Sequence, residues 1–345
     1  MKIIISGGGT GGHFYPAMST LQEFTARGIE TYYIGATQGI EAQLIQNFTP
    51  QHTLLELSGV LGKSIGQRIT ALRQLAAGVV TLRTLYRSIK PDAVIGFGGY
   101  ASAAALLAGA TQRIPLFLHE QNSVTGLTNT LLAKIATATF SAFGNLGETV
   151  GLPLRQTPPL RPWSERQHLL ILGGSQGSIS LNTFVAHSLP QLIEHTGVPI
   201  YHQVGGRNYE PYMQEIMARY QTIPHNYHPF AFRDDIQELM ATACGALARS
   251  GASSAFELMA AKVPTLFIPF PYAAYDHQYG NADYFSREGA AQVCREADFK
   301  VHGWEVFATF WEGREAMVPS LERLSVITLP ATLCDRVLSK LHNKP

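Results

Sequence analysis

Short apolar runs alternate along the first half of the chain with longer segments of helical periodicity. Such alternation is typical of a parallel sheet with helices on both of its faces. The pattern therefore predicts an α/β fold. The strands predicted from these runs are residues 2–6, 31–35, 93–96, 116–119 and 138–141, and the clearest helices between them are residues 16–27 and 64–90.

The same alternation starts again after a proline-rich segment. Residues 151–162 contain four prolines, which predicts a linker. With 345 residues the chain is long enough for two domains. We therefore predict two Rossmann-like domains that face each other across a central cleft, at residues 1–155 and 165–325, and a final helix at about 329–342 that packs back on the first domain. The strands predicted in the second domain are residues 168–172, 199–203, 246–248 and 264–269.

A glycine-rich loop follows the first predicted strand of each domain. Residues 7–12 read Gly-Gly-Gly-Thr-Gly-Gly, and residues 173–177 read Gly-Gly-Ser-Gln-Gly. Glycines allow a ligand to approach the backbone closely, and the helix N-terminus behind such a loop attracts anions. A dinucleotide site would need an acid at the end of the second strand, and residues 33–37 contain none. The loops therefore predict sites for phosphorylated ligands, since a purely structural turn explains one loop better than two.

The second domain has two further segments with suitable chemistry. A predicted helix begins with Ser253 and Ser254 in its first turn, which suits a diphosphate. Glu257 lies one turn later and could accept hydrogen bonds from a ribose diol, although a solvated acid or a capping box would also explain it. The loop that contains His277 and Gln278 follows the next strand and supplies amide and imidazole groups for sugar hydroxyls.

Candidate acid–base groups lie in the first domain. His13 ends the first glycine loop, and an imidazole is a suitable general base near neutral pH. His119, Glu120, Gln121 and Asn122 follow a predicted strand. Neighbouring strand residues point to opposite faces, so we expect His119 and Glu120 to position a ligand or to hold the site together. Their spacing does not fit a metal site.

Composition and charge exclude several functions. The net charge of +1 gives no general attraction for nucleic acid, and three cysteines are too few for a disulfide framework or a zinc cage. The cysteine usage suits a reduced cytoplasm, and no apolar run is long enough for a signal peptide or a membrane span. Residues 58–91 have six basic residues and no acid, which fits either an anionic membrane surface or a helix with a solvated basic face.

The order of these motifs resembles that of the MurG family of cell-wall N-acetylglucosaminyltransferases. The likeness implies the two-domain GT-B fold, UDP-N-acetylglucosamine as donor substrate, no required cofactor, and a peripheral place at the cytoplasmic face of the inner membrane. The implied acceptor is undecaprenyl-pyrophosphoryl-N-acetylmuramoyl-pentapeptide, whose C4 hydroxyl attacks the anomeric carbon with inversion, the lipid I to lipid II step of peptidoglycan synthesis. The matching segments are residues 8–13, 98–102, 119–122, 126–129, 173–177, 249–252 with Glu257, 277–278 and 281–282.

The resemblance also implies roles for individual residues, and no metal site. The implied catalytic residues are His13, as general base, Glu120 and Tyr100. Those implied for the acceptor are Gly9, Thr10, Gly11, Gly12, His119, Asn122 and Asn129. Those implied for the donor are Thr10, Gly11, Gly12, Asn122, Arg155, Ser175, Gln176, Phe232, Arg233, Ser250, Gly251, Ala252, Ser253, Glu257, His277 and Gln278.

Three positions depart from the family pattern, and two other functions stay compatible with the motifs. Ala103 and Ala104 stand where family members often have Gly-Pro, and Leu152 stands where they usually have Asn, which puts the linker contacts in question. A nucleotide-sugar epimerase would share the architecture without a lipid acceptor. A nucleotide-sugar-binding regulator would keep the Glu257 site without needing His13.

Overall fold

The computed structural model describes residues 1–59, 64–154, 158–174, 176–324, 326 and 328–342. The chain forms two compact units, one of residues 1–155 with 327–345 and one of residues 156–326. Each unit contains a parallel sheet with helices between successive strands.

The first unit is built on a sheet that is buried on both faces. Within β1 (Lys2–Ser6), Ile3 and Ile5 belong to one apolar cluster and Ile4 to another, because successive side chains point to opposite faces. The other strands are β2 (Glu30–Ala36), β3 (His52–Leu55), β4 (Ala93–Gly96), β5 (Leu116–Glu120), β6 (Ala138–Ser141) and β7 (Glu148–Thr149). The helices between them are α1 (Gly11–Ala26), α2 (Glu41–Leu44), α3 (Ile65–Ile89), α4 (Gly99–Ala110) and α5 (Leu127–Ala133).

The second unit repeats this plan with its own sheet. Its strands are β8 (His168–Leu172), β9 (Ile200–Gln203), β10 (Tyr227–Phe230), β11 (Ala243–Ala248), β12 (Thr265–Phe267) and β13 (Ala291–Val293). Its helices are α6 (Ile179–Thr196), α7 (Gly206–Tyr220), α8 (Ile236–Thr242), α9 (Ala252–Ala260), α10 (His277–Arg287), α11 (Glu296–Gly313) and α12 (Val318–Arg323).

Both sheets reverse their strand order at one point. Over the described residues the order is β3-β2-β1-β4-β5-β6-β7 in the first sheet and β10-β9-β8-β11-β12-β13 in the second. Ligands of open α/β sheets bind outside the carboxyl ends of the strands at such a reversal. The reversals lie between β1 and β4 and between β8 and β11, so each glycine loop leaves a strand beside one of them.

The last described helix, α13 (Pro330–His342), belongs to the first unit. Leu333, Cys334 and Val337 are completely buried in the same apolar cluster as Ile3 and Ile5. An ion pair of 2.5 Å between Arg27 and Asp335 joins α13 to the end of α1. Helix α13 therefore completes the apolar core that contains β1.

The predicted strands and helices are found, with small shifts at their ends. The helix predicted at 64–90 is α3, which begins after Ser64 and ends before Lys90, a residue with a positive φ of 54°. The prediction of a linker at 151–162 is wrong at its start, because Leu152 and Leu154 are buried. Arg155 and the following two residues lie outside the described part of the chain. The sequence reading missed β3, β7, β10, β13 and α11.

Candidate active site

The first glycine loop leads from β1 into the N-terminus of α1. Thr10 precedes the helix in an extended conformation, and its carbonyl accepts the N–H groups of His13 and Phe14. The first N–H groups of a helix have no acceptor within the helix. Those of Gly11 and Gly12 lie at the positive end of α1, where an anion would be stabilised.

The buried carboxylate of Glu41 holds the first half of this loop. Its oxygens accept the Gly9 N–H at 2.8 and 3.0 Å and the Ala36 N–H at 3.0 Å. A Cβ atom on Gly8 or Gly39 would lie within 2.1 Å of a carboxylate oxygen, so both positions require glycine. The Gly9 N–H already bonds to Glu41, and the contact of Gly9 with the acceptor stays a prediction. The sequence pattern did not predict a role for Glu41. The acid of a dinucleotide site is expected at the tip of β2, and Glu41 lies further along the chain, at the start of α2.

His13 is held by residues from two other strand ends. Its Nδ1 lies 2.9 Å from Oε1 of Gln121, which follows β5. Its ring lies against the backbone of Gly98, where a Cβ atom would come within 3.0 Å of the ring carbon Cε1. Gly98 has a φ of 91°, so this close approach depends on glycine. The structure thus brings together His13, the segment after β4 and the segment after β5, as the sequence motifs predicted.

His119 is completely buried. Its Nε2 lies 2.8 Å from the carbonyl oxygen of Gly151, and its Nδ1 lies 3.2 Å from Nε2 of Gln121. Burial lowers the pKa of His119 to about 4, so the ring is neutral at ordinary pH. His119 therefore supports the neighbouring loops from within the core, and its contact with the acceptor stays a prediction.

Glu120 is likewise engaged inside the protein. One carboxylate oxygen accepts the Asn122 N–H at 3.0 Å, and the other accepts a hydrogen bond from Nδ2 of Asn129 at 2.7 Å. Both Glu120 and Asn129 are buried. The catalytic role of Glu120 and the acceptor contact of Asn129 stay predictions, while the structure shows the two side chains bonded to each other. The pair fixes the loop that presents Asn122, which is half-buried.

Tyr100 stands at the start of α4 and is exposed. The two residues before it, Gly98 and Gly99, both have positive φ angles. A Cβ atom on Gly99 would lie 2.8 Å from the carbonyl oxygen of Gly8, so the two glycine segments pack directly on each other. This packing places Tyr100 close to the first glycine loop.

In the second unit, α9 begins with a buried serine hydroxyl. Oγ of Ser253 is shielded from solvent and has no hydrogen-bond partner among the described residues. A buried hydroxyl without a partner costs stability, and a ligand oxygen at the helix N-terminus would satisfy it. Gly251 precedes the helix and Ala252 is its first residue, so their backbone groups lie at the same end.

Ser250 is bonded within the protein. It is completely buried, and its Oγ donates to the carbonyl oxygen of Gln278 at 2.8 Å. Its own carbonyl oxygen accepts a hydrogen bond from Nδ2 of Asn281 at 3.1 Å. The donor contact of Ser250 stays a prediction, and its hydroxyl is already bonded within the protein. Ser250 ties the start of α9 to α10.

Glu257 lies further along α9 and is half-buried. Its Oε1 accepts a hydrogen bond from Nε2 of Gln237 at 3.0 Å. The residue at the capping-box position of α9 is Ser254, since Gly251 is the N-cap. The capping-box explanation of Glu257 is therefore excluded, and its burial argues against a merely solvated acid.

The guanidinium of Arg249 joins the strand ends of this unit. It donates to the carbonyl oxygens of Ile268 and Pro269 at 2.9 and 3.0 Å, after β12. It also pairs with the buried carboxylate of Glu296 at the start of α11 and donates to Oγ of Ser180 in α6. Arg249, which follows β11, thereby links that strand to β12, α6 and α11 around the loop that leads into α9. Arg249 belongs to the motif at residues 249–252, whereas the sequence predicted no role for Glu296.

The remaining predicted donor residues follow β8, β10 and β12, and His277 and Gln278 are the first two residues of α10. Oε1 of Gln278 accepts the Phe270 N–H at 3.0 Å. His277 is half-buried, and its Nδ1 lies 2.8 Å from the carbonyl oxygen of Ala274. Phe232 is exposed, and Arg233 makes a bidentate ion pair with Asp235. Ser175 lies outside the described residues, and the exposed Gln176 follows it.

Comparison with known proteins gives one consistent family. Residues 3–141 match the glycosyltransferase family 28 N-terminal domain, and residues 168–305 match the C-terminal domain of that family. The UDP-N-acetylglucosamine–N-acetylmuramyl-(pentapeptide) pyrophosphoryl-undecaprenol N-acetylglucosamine transferase of Pseudomonas syringae pv. tomato is 36% identical over 86% of this chain and 85% of its own. The transferase of the same name from Moorella thermoacetica is 32% identical over 97% of this chain and 95% of its own. The chain belongs to the MurG transferases of glycosyltransferase family 28.

A solved MurG structure supports the same conclusion. Acinetobacter baumannii MurG superposes with a TM-score of 0.77 at 25% identity, covering 99% of each chain. The two-domain GT-B fold predicted from the sequence is therefore confirmed, as is the prediction of a UDP-sugar-dependent hexosyltransferase.

The second unit of this MurG transferase also contains a cavity of about 940 Å³. Gln176, Arg249 and Phe270 line it at the sheet edge, and Phe184 and Trp304 line it between α6 and α11. Neither Ser253 nor Glu257 is among its lining residues. The predicted donor residues are therefore distributed along the strand ends and do not share this one cavity.

Proposed function

We propose that this chain transfers N-acetylglucosamine from UDP-N-acetylglucosamine to undecaprenyl-pyrophosphoryl-N-acetylmuramoyl-pentapeptide, in the synthesis of peptidoglycan. The observation that supports it most is the likeness to transferases of this name over 86% to 97% of the chain. The C4 hydroxyl of the acceptor attacks the anomeric carbon in a single displacement. The new C–O bond forms as the bond to the UDP oxygen breaks, so the anomeric configuration is inverted.

The donor is proposed to bind at the N-terminus of α9. The diphosphate receives hydrogen bonds from the first-turn N–H groups and from Oγ of Ser253, the hydroxyl that has no partner in the described structure. Negative charge grows on the leaving UDP in the transition state, and fixed N–H dipoles stabilise it there. In this proposal the helix end supplies that stabilisation and no metal is required. Glu257 accepts hydrogen bonds from the ribose diol.

The acceptor is proposed to bind at the N-terminus of α1. Its pyrophosphate lies on the first-turn N–H groups that follow Thr10, including those of Gly11 and Gly12. His13 accepts the proton of the C4 hydroxyl as that oxygen attacks. Tyr100 follows Gly99, which packs on Gly8, and Asn122 follows Gln121, which contacts His13, and both are proposed to contact the acceptor sugar.

The test of this function is the release of UDP. The purified chain is incubated with UDP-N-acetylglucosamine, with and without the lipid-linked acceptor, and UDP and the disaccharide product are quantified. We expect UDP release only in the presence of the acceptor. Isomerisation of the sugar without acceptor would identify an epimerase, and binding without turnover would identify a regulator.

We further propose that the basic surface of α3 binds an anionic membrane, at the cytoplasmic face of the inner membrane. Ile65, Leu72 and Val80 are exposed large apolar residues on this helix, and Ile65 is 78% exposed. Arg73 and Arg87 are exposed nearby. Among the described residues, no helix combines the length and hydrophobicity needed to cross a bilayer. A polyprenyl-linked acceptor requires the enzyme to work at a lipid surface.

Reversal of charge on this helix should weaken membrane binding. Each basic residue near an anionic surface contributes about 1 kcal/mol, so Arg73→Glu with Arg87→Glu is expected to lower the affinity for anionic vesicles about 10- to 100-fold. The measurement is co-sedimentation with phosphatidylglycerol vesicles. Arg83 is not a suitable position, because it is half-buried and its Nε is shielded from solvent.

The matched control is Arg207→Glu with Arg287→Glu, two exposed arginines of the second unit. It changes the net charge by the same amount but leaves α3 intact. Equal vesicle binding by the α3 variant and the native chain at low salt would contradict the membrane proposal.

A further inference from the structure

We propose that Gln121 is a positioning residue that fixes His13 as the tautomer with its proton on Nδ1, so that Nε2 is the nitrogen that accepts the acceptor's proton. The inference rests on the proposed function for the role of His13. Gln121 lies in the chain between Glu120 and Asn122, which are both predicted site residues. In this proposal Gln121 itself does not contact the substrate. The proposal rests on a series of hydrogen bonds in which the donor and acceptor at one contact fix those at the next.

The orientation of the Gln121 amide is the first step. Its Nε2 donates to the carbonyl oxygen of His119 at 3.0 Å. A backbone carbonyl can only accept, so the atom facing it must be the amide nitrogen. The opposite orientation would place two oxygens against each other. The amide oxygen Oε1 therefore faces His13.

The tautomer of His13 follows from this orientation. Its Nδ1 lies 2.9 Å from Oε1 of Gln121, and an amide oxygen can only accept a hydrogen bond. The proton of a neutral His13 ring must therefore be on Nδ1. The lone pair is then on Nε2, and only a nitrogen with a lone pair can act as a general base.

A second histidine supports the same arrangement. Nε2 of Gln121 also lies 3.2 Å from Nδ1 of His119, which must then accept. The proton of His119 is therefore on Nε2, where it donates to the Gly151 carbonyl oxygen at 2.8 Å. Donors and acceptors match at every contact, from Gly151 through His119 and Gln121 to His13.

Burial makes this support rigid. Gln121 is 1% exposed and His119 is completely buried, so water does not compete for these contacts. Rotating the Gln121 amide would break the hydrogen bond to the His119 carbonyl and set two acceptors against each other. A neutral amide also orients the ring without adding the charge that a carboxylate would place beside it.

The direct test is the tautomer itself. Full-length protein labelled with ¹⁵N-histidine is studied by NMR at about pH 8, above the ordinary histidine pKa. A ring nitrogen with a proton and one without resonate far apart, and the His13→Asn variant identifies the signals of His13. We expect the Nδ1–H tautomer in the native chain and a loss of that preference in Gln121→Met. The Nε2–H tautomer in the native chain would overturn the proposal.

Kinetics provide the second readout. Gln121→Met is expected to lower kcat on the order of 10- to 100-fold, because general base catalysis contributes about 10²- to 10⁴-fold and the ring is still present. The KM for UDP-N-acetylglucosamine should stay unchanged, since Gln121 lies in the other unit from the proposed donor site.

The matched control is Gln112→Met. Gln112 is half-buried. Like Gln121, it donates from Nε2 to a backbone carbonyl oxygen, here that of Arg83 at 3.0 Å. It should leave tautomer and kcat unchanged. A Gln121→Met protein with native kcat would contradict the proposal. Failure of the proposed transferase activity would instead show as an inactive native chain with the expected tautomer.

Discussion

Replacement of His13 by alanine is expected to lower kcat by about 10²- to 10⁴-fold, the usual contribution of a general base. The hydroxyl of the acceptor would then have to lose its proton to water during the attack. The KM for UDP-N-acetylglucosamine should change little, because the proposed donor residues belong to the other unit. The measurement is steady-state UDP release with the lipid acceptor in excess.

The control for this variant is His342→Ala, at an exposed position near the end of α13 in the same unit. Calorimetric binding of UDP to His13→Ala shows whether the protein is folded and whether its donor site is intact. A His13→Ala enzyme with the native rate would exclude His13 as the base. The proton would then have to be accepted by another group near the loop, and Tyr100 is the exposed candidate there.

Acid is expected to destabilise the protein strongly below about pH 6.5, the ordinary histidine pKa. Burial lowers the pKa of His119 and His168 to about 4 and that of His202 to about 3. Between these values and about 6.5 the unfolded chain binds more protons than the folded chain, so the free energy of unfolding falls as the pH falls. From pH 7 to pH 5 the loss is about 2 kcal/mol for each of the three rings.

Urea denaturation at pH 7 and at pH 5 measures this effect. His202→Gln should reduce the difference between the two free energies of unfolding, because one titrating ring is removed. The exposed His225→Gln should leave the difference as it is in the native chain. Equal urea midpoints at the two pH values would show that the buried imidazoles do not determine acid stability.

The edge strands show where sequence patterns fail. In β10 the run Tyr-His-Pro-Phe contains polar residues and a proline, which a strand tolerates only at the edge of a sheet. β13 has three residues, too few to show the alternation of apolar and polar side chains that predicts a strand. β10 pairs with β9 and β13 pairs with β12, and a helical connection separates the two strands of each pair in the chain, so only the assembled sheet shows that these segments are strands.

Within the site, the sequence placed the right segments together, but several of the predicted contact residues are buried and bonded within the protein. His119, Glu120 and Ser250 are polar residues after apolar strands, which is equally the pattern of ligand contacts and of buried supports. Burial distinguishes the two, and burial depends on neighbours from elsewhere in the chain. For the same reason the sequence pattern assigned Gln121 no role of its own and did not single out Glu41, since their roles consist of bonds to His13 and Gly9.

By itself the sequence determined the α/β architecture, the two glycine loops and their helix starts, and the membership of the chain in its family. These features depend on local periodicity, on glycine at turns and on the order of short motifs, all of which are written in consecutive residues. Only the tertiary structure decided which polar side chains face a ligand and which hold the loops from behind. That distinction depends on hydrogen bonds between residues up to 108 positions apart, as between His13 and Gln121, and no local pattern encodes them.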